Sequence, residues 1–572
     1  MIEFFGVRRW AIILAIVSSL TVVPSVFAQQ DTSADQPVIG SSDTVTADPP
    51  VSRPNTKPCV VNLFTNQEFA DFNIKPFDYT PPTKCAGPWA KVIFVADFNE
   101  TPGVQYDRTA EVTIGNVNVY FGTTPEPSST LGPTWHIERD LTDYSALLKT
   151  PQAGQAILGN LVNSTYTGII YGNAEIEFYP PDWANPAPRT PDVVLPLPDA
   201  PGGAAGLSSP TSLLSQTFTL PQNVERAYLD VFAQGQYIDE FWYTCSPNDL
   251  VAETENTCGN TGFRETEISI DGVPAGVAPV YPWIFTGGID PFLWFPLPGV
   301  QTLNFVPYRV DLTPFAGLLS NGESHTVSIS VFNDGNYFNV TGTLLLCLDH
   351  GASHVTGEVT QNTIGSGPNP QVTNNLSSSG GNVTGTVTVT SARQFTLAGF
   401  VKTSHGRVDT TVQQQLKFSN VQTFNITDTI YGQGVTQATT LASKTTTKAG
   451  FLVTEVDKSL SYPLVVDYTE ALNSDGTISL ATTIQQKYLG NETDRLNGFP
   501  IFVSSVSNTV APTDTLQFDS SFNLLGNTGQ KSSQEYISFD SRSGCYSKKL
   551  TAENNVLTGI SRGEGCGGGD QR

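Results

Sequence analysis

The feature that most limits how this chain can fold is alternation. In "AEVTIGNVNVYFG" (110–122) and "GNVTGTVTVTSARQFTLAGFVKT" (381–403), apolar and polar residues take turns. Successive side chains of an extended strand point to opposite faces, so a period of two builds one dry face and one wet face, whereas a helix would scatter both types around its axis. The 50 glycines and 39 prolines fall between such runs, as turns between short strands require. The predicted fold class is therefore all-β: antiparallel β-sandwiches followed by a further β-rich region.

At 572 residues the chain exceeds what one core supports, and the texture divides it. Arg8 and Arg9 precede the apolar run "WAIILAIVSSLTVVPSVFA", and Val26-Phe27-Ala28 offers a small-residue cleavage site. Residues 1–28 thus read as a secretory signal peptide. Residues 29–56, rich in Ser, Thr, Asp and Pro, read as a disordered leader. Strand-like runs at 57–180 predict a first sandwich. A Pro-rich linker follows at 181–209, then a second sandwich at 210–352, a C-terminal β-rich domain at 353–560 and a flexible tail at 561–572.

Secretion agrees with seven sequons, at Asn99, Asn163, Asn339, Asn375, Asn382, Asn425 and Asn491. The expected location is outside the cell or in the vacuole. An oxidising compartment favours pairing cysteines that are neighbours in sequence: Cys59 with Cys85, Cys245 with Cys258, Cys545 with Cys566. Cys347, inside "TLLLCLDH", is left as a buried thiol. The net charge of −24 repels phosphate backbones and anionic lipid heads, so neither nucleic acid nor a membrane surface is an expected partner, and no second segment is long enough to span a bilayer.

The H-E-x-x-H helix, Walker loop and C-x-x-C pair are all absent. His350 and His354 lie in the turn "DHGASH" and read as turn residues; no metal or cofactor is expected. What remains is carboxylates beside aromatics, equipment suited to sugars and their linkages. Four stretches carry it: "QYDR" (105–108), "TWHIERDLTDY" (134–144), "YIDEFWYTC" (237–245) and "GFRETEISIDG" (262–272). Glu138, Arg139 and Asp143 read as solvated strand edges. Asp107 reads differently, because a carboxylate next to Arg108 is expected to stay ionised and able to activate or orient a water.

These stretches, with "CVVNLFTNQEF", "VADFNETPGVQYDRTAEVTI", "GTTPEP", "IFTGGIDPFLWFPLPGV" and "YRVDLTPFAGLL", resemble in order the plant and fungal peptide-N4-(N-acetyl-β-glucosaminyl)asparagine amidase A family, from about Cys59 to Asp349 and more thinly beyond. That family resembles, more distantly, the bacterial peptide:N-glycosidase F, built of two adjacent jelly rolls. The resemblance implies two jelly rolls here, Asp107 as the catalytic aspartate and Arg108 as a substrate-contacting arginine. A later bacterial tract, an acid shortly before Phe-Arg, matches Phe263-Arg264 but places its acid near Asn260. A further bacterial glutamate falls near Asn163. The second acid is thus left among Asp239, Glu240 and Glu265, with Arg264 as a further substrate contact.

The implied substrate is an N-glycopeptide or N-glycoprotein, and the implied reaction is hydrolysis of the amide between N-acetylglucosamine and asparagine, leaving aspartate. Trp135, Trp242 and Tyr243 are candidates for stacking on sugar faces. Glu111, on the same strand as Asp107, serves as a bystander acid. The competing readings are a secreted carbohydrate-binding sandwich without turnover, and an endoglycosidase that would cut between sugars.

Overall fold

The structure, a computed structural model, describes residues 37–198 and 202–566. The signal peptide expected at 1–28 lies outside the described residues. The first lobe consists of β1 (Cys59–Phe69), β2 (Lys75–Tyr79), β3 (Lys91–Glu100), β4 (Thr109–Ile114), β5 (Val117–Thr123), β6 (Thr134–Asp140), β7 (Gln152–Leu158) and β8 (Ile170–Tyr179). They form two antiparallel sheets in the orders β1-β8-β3-β6 and β2-β7-β4-β5. Numbered in chain order, that is the strand order of an eight-stranded jelly roll. Its core holds Phe94, Tyr120 and Phe178 between the sheets.

The second lobe repeats the plan. It comprises β9 (Val193–Pro196), β10 (Ala205–Leu207), β11 (Leu214–Thr219), β12 (Val224–Gly235), β13 (Glu265–Ile270), β14 (Val273–Pro279), β15 (Tyr308–Asp311), β16 (Ser324–Phe332) and β17 (Phe338–Leu348). The sheet orders β10-β17-β12-β15 and β11-β16-β13-β14 make a second jelly roll, with β9 added beside β10 on the edge of β17. The Pro-rich segment read as a linker therefore carries two edge strands. An edge is where prolines are tolerated, since only one side of such a strand needs its N–H groups.

From Thr356 to Arg562 the described residues form one twelve-stranded antiparallel sheet. Five consecutive strands, from Asn382–Thr403 to Ile478–Leu496, are 19 to 22 residues long. Strict alternation buries one face, Val412, Leu416 and Phe418 among it, against the second jelly roll. Phe418 meets Phe263 edge-on at 4.9 Å, and Tyr462 meets Tyr281 at 4.9 Å. The three expected disulfides are present, and Cys347 is free and buried.

The leader expectation is corrected where residues are described. Residues 37–56 have almost no regular structure, yet they run as a strap over the other lobes. The Gly40 amide donates to the Leu557 carbonyl of the C-terminal sheet at 2.9 Å and the Leu557 amide to the Ser41 carbonyl at 2.8 Å, the Ala47 amide donates to Gln534 Oε1 at 2.6 Å, and the Val51 amide donates to Glu138 Oε2 at 2.6 Å. Arg53 then pairs with Glu138 at 2.7 Å and Glu177 at 3.0 Å. A polar extended segment cannot make a core of its own, but it is ordered when others supply its backbone partners. We expect Arg53→Met to cost about 1–3 kcal/mol, since it leaves a buried Glu138 oxygen short of its charged donor. Equilibrium unfolding in urea checks this, and an unchanged midpoint would count against the strap as a stabilising element.

Candidate active site

The site begins with a hairpin. Gly115 and Asn116 both have positive φ, 56° and 62°, so a two-residue turn joins β4 to β5, and a bulge between Val112 and Thr113 then shifts their register by one. The start of β4 is thereby brought beside the end of β5, pairing Thr109 with Thr123. One step outward, the Arg108 amide donates to Thr124 Oγ1 and the Thr124 amide to the Arg108 carbonyl, both at 2.9 Å. Glu126, just beyond, accepts from the Asp107 amide at 3.3 Å. Asp107 and Glu126, 19 positions apart, are thus neighbours at one hairpin end.

The second jelly roll closes the other side. The loop after β14 brings Gly287 so close that a Cβ there would lie 2.2 Å from Glu126 Oε1 and 2.8 Å from Asp107 Oδ1. Only glycine lets the backbone pass between these two carboxylates. The turn after β12 carries Glu240, and Gln236 in that turn donates to Thr109 Oγ1 at 2.9 Å, tying it to the hairpin. Glu240 then lies within the fields of Asp107 and Glu126.

Clustering acids in a partly dry groove raises their proton affinities by amounts that differ with surroundings. Burial pushes Asp107 up to about 6 against the Gly287 amide and the Arg108 charge, which both favour the ion. Here the sequence expectation is corrected in degree: desolvation outweighs Arg108. Burial and the Asp107 charge push Glu126 to about 7, and burial with both neighbouring charges pushes Glu240 to about 8. Glu100, at the end of β3, is buried with neither carboxylate oxygen hydrogen-bonded and is pushed by burial to about 8, with Arg108 opposing. Arg108 donates to Gln105 Oε1 at 2.5 Å, while its Nε has no partner. One low-affinity carboxylate and one that holds its proton, side by side, form the arrangement that acid–base catalysis needs at near-neutral pH.

The other sequence candidates lie elsewhere. Asp239 is fully buried, bound by Arg264 Nη2 at 2.7 Å and by the amides of Gly335 and Asn336 at 2.8 and 2.6 Å. That leaves neither Asp239 nor Arg264 free to meet a substrate, and together they hold the loop before β17. Glu265 is paired with Arg393 of the C-terminal sheet and serves that lobe contact. Trp135, Trp242 and Tyr243 are core: Trp135 stacks on Phe98 at 5.3 Å, and the others are at most 2% exposed. Being large and apolar, they were claimed by the interior rather than the groove.

Glu138 and Asp143 are likewise no solvated edges, since Glu138 anchors the strap and Asp143 bonds Arg309 of the second jelly roll at 2.5 Å. Arg139 is buried too. Glu111 is no bystander: it is buried, receives Asn118 Nδ2 at 2.9 Å and is pushed by burial to about 7. The exposed Asp78 is the better control. His350 meets Asp192 at 2.7 Å at the surface.

Sequence reasoning missed Glu126, Glu100 and the rim aromatics. Tyr106, 53% exposed, leans on Tyr166 at 5.3 Å, and Tyr237, 70% exposed, stands two residues from Asp239 and three from Glu240. The signal for Glu126 was present: the Gly-Asn turn sets a register that sends "TPE" to the Asp107 end of the hairpin. We expect Asp239→Asn to cost about 3–5 kcal/mol, because it leaves buried Arg264 unpaired. A stability loss measured by chemical denaturation, without a change in the pH profile of any activity that remains, is the outcome that fits a structural pair.

Comparison with known proteins adds the following. Residues 49–364 match the family model described as peptide N-acetyl-β-D-glucosaminyl asparaginase amidase A, and residues 386–464 match that of the PNGase A C-terminal domain. A curated relative from Prunus dulcis, peptide-N4-(N-acetyl-β-glucosaminyl)asparagine amidase A, is 29% identical over 546 residues, covering 90% of this chain and 92% of its own. Among solved structures, PNGase F from Flavobacterium meningosepticum aligns at 16% identity and a TM-score of 0.34, over 51% of this chain and 96% of its own. PNGF-II aligns at 15% identity and 0.34, over 51% and 66%.

Proposed function

Because this chain belongs to the peptide N-acetyl-β-D-glucosaminyl asparaginase amidase A family, we propose that it hydrolyses the amide joining N-acetylglucosamine to asparagine in N-glycopeptides or N-glycoproteins. The observation that carries this reading is the meeting of Asp107 and Glu126, parted by Gly287, with the Glu240 turn that Gln236 ties to the same hairpin end, where burial pushes Asp107 to about 6 and Glu240 to about 8. The curated relative of similar length bears the name of that activity.

Asp107, ionised near pH 7, takes a proton from water as the water oxygen bonds to the amide carbon. The resulting oxyanion faces Arg108, whose Nε is unspent. Glu240, still protonated, passes its proton to the glycosylamine nitrogen as the C–N bond breaks. The peptide keeps aspartate, and the released glycosylamine later exchanges ammonia for water. Glu126, holding the Asp107 amide, is a positioning residue. The exposed tyrosines Tyr106 and Tyr237 offer flat faces to sugar rings where Trp135 and Trp242 do not.

The pH dependence follows in sign. Activity needs Asp107 deprotonated and Glu240 protonated, so it rises with pH through about 6 and falls through about 8. Asp107→Asn should lower kcat by roughly 100-fold or more and Glu240→Gln by a similar factor while removing the falling limb, with Asp78→Asn unchanged. The assay is mass measurement of a small glycopeptide after incubation. Aspartate at the former glycosylation site is the expected product, whereas a residual N-acetylglucosamine there would mean an endoglycosidase. A folded Asp107→Asn protein with near-normal turnover would end the assignment.

Secretory entry belongs to the same proposal, with secretion or vacuolar delivery as its end. It rests on the expected signal at 1–28 and on sequon exposure. Asn99, Asn163, Asn375, Asn382, Asn425 and Asn491 are exposed, while Asn339 is half-buried on β17 opposite Gln234. N-terminal sequencing should find Gln29 first, and peptide mapping should find Asn339 the least glycosylated. A mature protein beginning at Met1 and free of glycan would overturn this.

A further inference from the structure

A cavity lies where the lobes meet. It has a volume of about 1240 Å³ and is walled by the strap, both jelly rolls and the C-terminal sheet; Asp107, Glu126 and Glu240 do not line it. Five of its lining residues carry buried polar atoms without a hydrogen-bond partner: the indole nitrogens of Trp135 and Trp283, Arg139 Nη1, Glu492 Oε2 and Asp494 Oδ1. More than nine in ten buried polar groups in folded proteins are paired, so five unpaired at one cavity mark a place where something else is meant to bind.

The chemistry of the walls narrows what that is. Nine carboxylates and nine Lys or Arg side chains line the cavity, in a chain whose net charge is −24. A balanced wall gives no preference to an ion. Three unpaired donors and two acceptors would be left stranded by a purely apolar guest. The wall also carries aromatic faces: Tyr462 stacks on Tyr488 at 5.5 Å, with Tyr281 and Trp283 adjoining. At the rim Phe451 stands 87% exposed, an expensive position for a phenyl ring with nothing to cover. Apolar flat faces beside alternating donors and acceptors match the C–H faces and hydroxyls of sugar rings. The volume exceeds the roughly 300–1,000 Å³ usual for a drug-sized ligand, leaving room for several rings.

We propose that this interlobe cavity is a second binding site that takes a neutral oligosaccharide, separate from the Asp107 groove and independent of its chemistry.

The test uses the full mature chain carrying Asp107→Asn, so that turnover does not interfere, and two probes: a free oligomannose chain with five mannoses on a reducing-end pair of N-acetylglucosamines, and maltohexaose. Binding is followed by calorimetry and by the fluorescence of Trp135 and Trp283. At least one probe should bind saturably with a fluorescence change. Asp494→Asn should weaken it about tenfold, the effect of one lost charged hydrogen bond. Phe451→Ser, at an exposed position that does not endanger folding, should weaken it several-fold, while Arg108→Ala leaves it unchanged. No binding of either probe at millimolar concentration would overturn the proposal. So would binding that survives both cavity substitutions, or binding that is lost with Arg108→Ala alone.

Discussion

The structure depends on a seam between the two jelly rolls. The segment 302–305 of the second lies along β5 of the first: Thr123 donates its amide to the Thr302 carbonyl at 3.0 Å, and Phe305 donates to the Phe121 carbonyl at 2.8 Å. Tyr120 adds its hydroxyl to the Leu303 carbonyl at 2.8 Å, and Phe121 meets Phe305 edge-on at 5.2 Å. The contact is so close that a Cβ at Gly122 would lie 2.2 Å from the Leu303 oxygen. Such a seam joins two lobes almost as strands join within one sheet, and it leaves little freedom for one lobe to slide past the other. Since β5 ends at this seam, the Asp107 end of the hairpin is presented to the second lobe in one arrangement.

That arrangement accounts for the electrostatics. Acids placed separately on two solvated lobes would keep ordinary proton affinities. Packed across a seam they lose water and gain one another's charge, and each is pushed upward. The order among them follows their partners: Asp107 has the Gly287 amide and Arg108, whereas nothing nearby favours an ionised Glu240. The groove stores unfavourable charge that the seam and the buried cores hold in place, as functional sites commonly do.

The C-terminal sheet and the strap do for the second jelly roll what the seam does for the site. Glu265 and Arg393 pair across that contact, and Gln422 and Gln433 donate to the carbonyls of Cys245 and Thr244 at 2.9 Å. The turn carrying Glu240 and the loop closed by Cys245–Cys258 are therefore backed by a broad, rigid surface. An acid in that contact is fixed by its partner, which is why Glu265 was a poor guess for chemistry although its sequence neighbourhood resembled that of Glu240.

Local pattern alone determined much of this protein. Period-two alternation gave the all-β class, the spacing of cysteines gave their pairing, and the resemblance gave the two jelly rolls, because strand periodicity and short motifs are properties of neighbouring residues. The Gly115-Asn116 turn even contained the meeting of Asp107 with Glu126, had its register been followed. What tertiary structure alone decided is which acids share a space and which aromatics stay outside. Asp239 and Glu240 are adjacent in sequence, yet one is spent on Arg264 in the interior and the other lies within the field of Asp107. Trp242 fills a core while Tyr237, five residues earlier, is in solvent. Burial and partnership depend on what arrives from 25 to 189 positions away, and no local pattern carries that information.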